Sequence, residues 1–397
     1  MRDLDGTSCV LALNSGSSSL KFGMYRVGPQ GAETLLSGAA DFSGGAGRFH
    51  AEDSRGEALG IDISPVSNQD DALARIGQIL DGPDIPSPNA VGHRVVHGGP
   101  RLVDHCLIGD AVIRELERAT AFAPLHIPPA LSIMRLARQR FHGLPQVACF
   151  DTVFHAGMPD VARVLPIPKA YRSEGIRRYG FHGLSCESIV RQLGAEPPRR
   201  LVIAHLGNGA SVTAVEEGRS IDTSMGLTPT GGVIMGTRTG DLDPGVLVWL
   251  AREKAFDAAM LEDLVDHRSG LLGISGLDGD MRGLRAAAPT NADARLAIQM
   301  FCYSVRKQLA AMIAVLEGLD MIVFTGGIGE NDWQARAAIC NGLAWIGVSL
   351  DEARNRSAEN PLDDAASRCS VRVLASQEDE QIARQTWALA RQERLED

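Results

Sequence analysis

Apolar residues along the first third of the chain fall into short runs separated by polar or glycine-rich turns. Cys9–Leu13, Leu20–Val27 and Thr34–Ala40 are continuous or alternating, the pattern of β-strands. A looser region, Gly44–Ser67, leaves room for more strand. The spacing of Leu73, Ile76, Ile79 and Leu80 predicts a helix over Asp70–Leu80. Pro83, Pro86 and Pro88 then impose a connection. Ala90–Val96 reads as strand, Asp110–Ala121 and Pro128–Phe141 as helices, and Gln146–Phe150 as a buried strand ending at Asp151.

The pattern restarts after the Pro197-Pro198 turn. Leu201–His205, Ser211–Glu216 and Arg219–Thr223 are strands. A helix starts at Asp243 with Pro244 in its first helical position. Asn291–Gly318 is a long helical pattern, and Met321–Phe324 a buried strand running into a glycine-rich turn. Asp332–Trp345 returns to helix, Val371–Leu374 to strand, and Glu378–Leu395 to helix. Both halves open strand, polar turn, strand, strand. LALNSGSSSLKF around Gly16 has a counterpart in IAHLGNGASVTA around Gly209, as a duplicated α/β architecture would give.

Composition narrows the picture. A chain of 397 residues implies two or three domains, and 44% hydrophobic with 22% charged residues is ordinary for a soluble globular protein. The net charge of −10 argues against a generic nucleic-acid or anionic-membrane binder. Seven scattered cysteines without C-x-x-C predict a reduced, cytoplasmic setting and no structural zinc. Asp3 and Asp5 make a poor signal peptide, and no run of about 18 apolar residues predicts a membrane span. Only four residues are lysine, against 35 arginines, so each lysine stands out.

Several polar turns suit anion chemistry. Asn14-Ser15-Gly16-Ser17-Ser18-Ser19-Leu20-Lys21 offers N–H groups, hydroxyls and a lysine to phosphate, although a serine-rich hairpin would look the same. It is not a Walker A loop, since no Gly-Lys-Ser/Thr exists in the chain. His205-Leu206-Gly207-Asn208-Gly209 and Thr325-Gly326-Gly327-Ile328-Gly329-Glu330-Asn331 could admit phosphate or ribose similarly. Arg94 within GHRVVHGG and Arg238 within GTRTGD present guanidinium forks in glycine-framed segments; a salt-bridged strand-end arginine is the alternative for Arg94. Asp151 lies past a strand end, where α/β proteins keep reactive groups or simply cap a turn. His182 in RYGFHG is as readily structural as catalytic.

Together these segments resemble the acetate kinase family. LNSGSSSLKF, GHRVVHGG, APLH, FDTVFH, RYGFHG, HLGNGAS, DTSMG, MGTRTGDLDPG and TGGIGEN stand in the family's order from residue 10 to residue 331. The resemblance implies the actin, Hsp70 and sugar-kinase fold, duplicated α/β (ribonuclease H-like) domains with ATP in the cleft between them. It implies an N-terminal domain of residues 1–150 plus 378–397 and a C-terminal domain of residues 151–377, the latter carrying nucleotide and a homodimer interface. It also implies reversible transfer of the ATP γ-phosphoryl group to acetate, giving acetyl phosphate and ADP, with magnesium or alternatively manganese.

Carried over by position, Asn14 and Glu378 match magnesium-associated residues and Lys21 an ATP-binding lysine. Arg94 matches the carboxylate-receiving arginine, Asp151 the catalytic aspartate, and His182 and Arg238 the transition-state stabilisers. His205, Leu206, Gly207, Asn208 and Gly209 match a nucleotide-binding segment, as do Asp280, Met281 and Arg282, and Gly327, Ile328, Gly329, Glu330 and Asn331. Val96, Leu125, Phe181 and Pro229 match a small apolar acyl pocket, with His126 beside it. Because acetate is already a carboxylate, Asp151 is expected to orient rather than to abstract a proton. Ile127, Leu184-Ser185-Cys186 and Thr230-Gly231-Gly232 depart from the family pattern, and Ile127 and Thr230 are expected near the acyl pocket. The C-terminal acidic pair reads Glu378-Asp379. A propionate or other short-chain acyl kinase shares nearly every motif. An actin- or Hsp70-like ATPase switch is a remoter alternative, disfavoured by Arg94, His182 and Arg238.

Overall fold

The apolar runs of the first third form a mixed sheet in the computed structural model, which describes residues 6–16, 19–42, 47–59, 65–83 and 85–396. Its strands are β1 (Ser8–Ser15), β2 (Ser19–Gly28), β3 (Gly31–Asp41), β4 (Arg48–Asp53), β5 (Ala90–Val95), β6 (Cys106–Leu107) and β7 (Gln146–Phe150), in the order β4-β3-β2-β1-β5-β7-β6. A second sheet holds β8 (Arg200–Leu206), β9 (Ala210–Glu216), β10 (Arg219–Thr223), β11 (Met321–Thr325) and β12 (Ser370–Val373), in the order β10-β9-β8-β11-β12. β1 pairs antiparallel with β2 and parallel with β5, which is parallel to β7. β8 pairs antiparallel with β9 and parallel with β11, which is parallel to β12. The stretch β3-β2-β1-β5-β7 thus repeats as β10-β9-β8-β11-β12, and the expected duplicated α/β fold is the one observed.

The chain divides into two compact units, Met1–Val153 with Gln377–Asp397, and Phe154–Ser376. In the first, Val10, Leu11, Ala12 and Leu13 are all fully buried, so the sheet is covered on both faces. Leu11, Leu13, Phe22 and Met24 pack with Leu73 and Ile76 of helix Gln69–Leu80 and with Ile133 and Ala137 of helix Ile127–Arg140. The C-terminal helix, Glu378–Glu396, packs on β1, β2, β5 and β7. A Cβ on Gly92 would lie 2.2 Å from Thr386 Oγ1 and 2.6 Å from Ile382 Cγ2 of that helix, so only glycine permits the approach.

In the second unit, Cys186 and Ile189 of helix Gly183–Gln192 pack with Leu201, Ile203, Val215 and Val323. That helix gives a weak periodic signal because small and polar residues, Gly183, Ser185 and Ser188, stand among its buried positions with Leu184, Cys186 and Ile189. Helices Ala258–His267, Gly270–Ser275 and Met281–Ala287 were also not anticipated. The helix expected over Asp332–Trp345 runs only from Trp333 to Asn341 and stops at Gly342. Asp243 caps helix Pro244–Glu253 by accepting from the Gly245 N–H, as the Asp-Pro signal predicts. Neither that helix nor Ala258–His267 has a buried residue, and both present apolar side chains, including Val248, Trp249 and Met260. Leu296, Met300 and Tyr303, also exposed, form a stripe at i, i+4 and i+7 on helix Ala292–Val315.

All seven cysteines are free thiols. Among the described residues no helix is long and apolar enough to cross a membrane. Ser17 and Ser18 of the first polar turn, and residues 43–46 and 60–64 of the looser region, lie outside the described residues.

Candidate active site

In the first unit the ends of three strands meet the start of the C-terminal helix. Asn14 lies near the end of β1, Arg94 near the end of β5, and Asp151 directly after β7, with Glu378 and Asp379 opening the helix. Arg94 donates from Nε and Nη2 to Asp151 Oδ2, at 3.0 and 2.7 Å. Its Nη1 donates to Asn14 Oδ1 at 3.0 Å. Asn14 in turn donates from Nδ2 to Asp379 Oδ1 at 2.8 Å and, more weakly, to Glu378 Oε2 at 3.4 Å. Lys21 stands opposite Asn14 in the β1–β2 ladder. The sequence pattern pointed to Glu378; the closer partner of Asn14 is its neighbour Asp379, whose presence in an acidic pair was the available signal.

The charges in this cluster are unequal: Asp151, Glu378 and Asp379 face Arg94 and Lys21. Burial works against the Arg94 charge, but Asp151, Glu378 and Asp379 more than offset it and hold the guanidinium firmly protonated. Burial pushes the Asp379 carboxyl above the usual carboxylate range; Glu378 adds to this, while the Asn14 bond, Lys21 and Arg94 oppose it. The donor set is oxygen only, suited to a hard divalent cation. Among the described residues no three His, Cys, Asp or Glu side chains form a metal cage, so such a cation would complete its shell with water or substrate oxygens. Three of the five Arg94 N–H donors are engaged, which leaves two for an incoming carboxylate. Val96 follows β5, and Leu125 and His126 lead into helix Ile127–Arg140; all three are partly exposed.

Ile127 is 1% exposed and packs with Val95, Leu131, Met134 and Phe150. Thr230 is likewise occupied, its hydroxyl donating to Asp266 Oδ1 at 2.5 Å.

The second unit gathers His182, His205, Arg238 and the β8–β9 turn. The His182 and His205 rings stack with centroids 4.1 Å apart and planes 20° from parallel. His182 Nδ1 lies 3.0 Å from Ser211 Oγ. His182 itself adopts the left-handed backbone (φ 59°) as N-cap of helix Gly183–Gln192, a conformation that costs about 1–2 kcal/mol outside glycine. Strain held at a polar position of this kind marks a site where side-chain placement matters. A Cβ on Gly209 would stand 3.2 Å from His182 Nε2 and 3.4 Å from Arg238 Nη1, so both groups converge on the glycine turn. Arg238 Nη1 also donates to the Pro229 carbonyl at 3.3 Å. Phe181 is buried, its carbonyl 2.9 Å from His155 Nε2. A carbonyl can only accept, so His155 carries its proton on Nε2 and accepts from Ser220 Oγ at Nδ1, 2.8 Å away.

Beside this group lies a cavity of about 910 Å³ within the second unit. Gly207, Asn208, Asp280, Met281, Arg282, Gly327, Ile328 and Asn331 line it, and Arg285 and Trp333, which the sequence pattern did not single out, are among the other residues of its wall. His205, Leu206, Gly209, Gly329 and Glu330 do not line it. Glu330 faces the backbone instead: its Oε1 accepts from the N–H groups of Gly326 and Ser376, each at 2.9 Å. The glycine turn is itself helical, since helix Gly326–Asn331 follows β11 without a loop. Arg336, 1% exposed, anchors the end of this helix by donating from Nη1 to the Gly329 and Glu330 carbonyls at 2.8 Å. Nothing in the local sequence distinguishes that arginine from the many others.

Residues 9–384 match the model of the acetokinase family. An acetate kinase of Methylocella silvestris is 41% identical to the chain, over 96% of this chain and 98% of its own. A solved propionate kinase from Francisella tularensis superposes with a TM-score of 0.88 at 34% identity, covering 96% of this chain and 100% of that one. The solved acetate kinase of Porphyromonas gingivalis gives a TM-score of 0.85 at 33% identity, covering 96% and 99%.

Proposed function

The chain belongs to the acetokinase family, and on that premise we propose that it is an ATP-dependent acetate kinase. It phosphorylates the carboxylate of acetate reversibly, giving acetyl phosphate and ADP. A carboxylate oxygen bonds to the γ-phosphorus as the bond from phosphorus to the β–γ bridging oxygen breaks, and ADP takes the released electron pair. No proton has to leave the nucleophile.

The observation that carries this reading is the Arg94 fork. Its position is fixed from two sides by Asp151 and Asn14, with donors to spare for a second carboxylate. An ATPase switch has no use for such a group. Asp151 acts through Arg94 and the acidic cluster, as an orienting group rather than a base. His182 and Arg238, converging on Gly209, supply positive charge and N–H donors to the transferring phosphoryl oxygens. The cavity walled by Asn208, Asp280 to Arg282 and Ile328 takes the nucleotide. Family resemblance assigns Val96, Leu125, His126, Phe181 and Pro229 to the acyl group and Lys21 to ATP. Asn14, Glu378 and Asp379 are the residues that would hold Mg²⁺, a role supported by the surplus of negative charge among them. When bound, the ion neutralises charge on the phosphate oxygens.

We assign acetate over propionate on the balance of the family relatives. One methylene in an apolar pocket is worth about 1–3 kcal/mol, so kcat/KM for acetate, propionate and butyrate decides the order. Trapping the product with hydroxylamine tests the activity itself: hydroxamate is expected with ATP, Mg²⁺ and acetate, and none with any of the three acids would overturn the reading. The working form is a cytoplasmic homodimer joined through the exposed apolar stripe of Leu296, Met300 and Tyr303 and the unburied helices that carry Trp249 and Met260.

A further inference from the structure

His205 is held by a chain of hydrogen bonds that the catalytic reading does not use. Ser185 Oγ lies 2.8 Å from His205 Nδ1. Ser376 Oγ donates to Ser185 Oγ at 3.0 Å. Ser376 is fixed in turn by its own N–H, which donates to Glu330 Oε1 at 2.9 Å. The same carboxylate oxygen takes the Gly326 N–H at 2.9 Å, which ties the chain to the helix that helps wall the cavity. Ser185 is fully buried, so water does not compete for its hydroxyl.

A hydroxyl carries one hydrogen. With Ser376 donating to it, Ser185 has its own hydrogen available for His205 Nδ1. Spending that hydrogen on Nδ1 makes the ring nitrogen the acceptor and leaves the proton of a neutral ring on Nε2. That edge faces the nucleotide turn: a Cβ on Gly207 would stand 4.0 Å from Nε2, and Gly207 lines the cavity. Stacking on His182 fixes the plane of the ring, and Ser185 fixes its rotation within that plane.

We propose that Ser185, backed by Ser376 and Glu330, is a positioning residue that holds His205 as its Nε2–H tautomer. The histidine thereby presents a hydrogen-bond donor, rather than a lone pair, to an anionic phosphate at the β8–β9 turn. The effect on rate rests on the nucleotide reading of the cavity; the tautomer does not.

Ring ¹⁵N spectra of the full-length, histidine-labelled protein test it, above the pH of imidazole titration and with His205→Gln as the assignment control. Nδ1 is expected unprotonated and accepting, and Nε2 protonated. In Ser185→Ala the Nδ1 resonance should move as its donor is lost. There kcat/KM for ATP should fall about tenfold, KM for acetate should stay within about twofold, and Ser185→Thr should recover most of the loss. Protonated Nδ1 in the wild type overturns the proposal, as does an unchanged kcat/KM for ATP in folded Ser185→Ala. The wild-type spectrum stands even where Ser185→Ala misfolds. If the wild type phosphorylates no acid, the kinase reading fails while the spectra still decide the tautomer.

Discussion

Arg94 sets Nε and Nη2 on one oxygen of Asp151, so the pair meets on a single carboxylate atom and not as two parallel bonds. The guanidinium is also held on its other edge, where Nη1 donates to Asn14 Oδ1. Asp151→Asn keeps the shape and removes the charge. We expect kcat to fall on the order of 10²–10³-fold. If Asp151 orients, raising Mg²⁺ should recover activity; rescue by pH without metal dependence would show a proton-transfer role instead.

Gly209→Ala separates crowding from backbone effects, since Gly209 is not among the positive-φ residues. The added methyl would press on His182 Nε2 and Arg238 Nη1. A loss of kcat of about tenfold or more is expected with little change in melting temperature. Equal activity in steady-state assays would remove those two side chains from the reaction.

Asp379 sits above the ordinary carboxylate range because it is sheltered and beside Glu378. A raised carboxyl pKa means that its charge weakens the fold at neutral pH and that protonation relieves this. Asp379→Asn should therefore raise the melting temperature of the metal-free protein, by about 1–3 °C, and weaken the dependence on Mg²⁺. Calorimetry and a Mg²⁺ titration of activity check the two halves.

Two buried histidines predict acid sensitivity. Burial lowers His93 to about 4 despite its bond to Gln146. Burial also lowers His155 to about 4 against the opposing pulls of the Phe181 carbonyl and Glu187. Unfolded, each titrates near 6.5. Between about 6.5 and 4 the unfolded chain binds protons that the folded one refuses, so stability falls as pH drops through that window. Denaturant midpoints at pH 7 and 5 measure the loss, and His93→Gln should flatten the dependence.

Sedimentation should show twice the chain mass. Trp249→Glu with Tyr303→Glu, both on exposed apolar surface, should give a monomer of unchanged circular dichroism. A persistent dimer would place the interface elsewhere.

Most strands and the longer helices were legible because they leave local signals: alternation, an apolar run, an Asp-Pro start. Helix Gly183–Gln192 left a weak one, because its buried side includes Gly183, Ser185 and Ser188, which do not read as apolar. The motif residues came together as clusters, but motif matching reports membership and not occupation. Glu330 sits inside a recognisable segment yet binds backbone amides, while Asp379 and Ser376 outside the strongest motifs hold Asn14 and Ser185. Such partners lie up to 365 positions apart, a distance over which local pattern carries no information.

The first unit is assembled from the two ends of the chain, and translation makes those ends at different times. When residue 153 leaves the ribosome, the sheet of β1 to β7 still lacks the helix that packs against Gly92 and Cys149. The sheet therefore carries an uncovered apolar surface through the whole synthesis of the second unit, and in that interval the nascent chain is exposed to chaperones and to premature association.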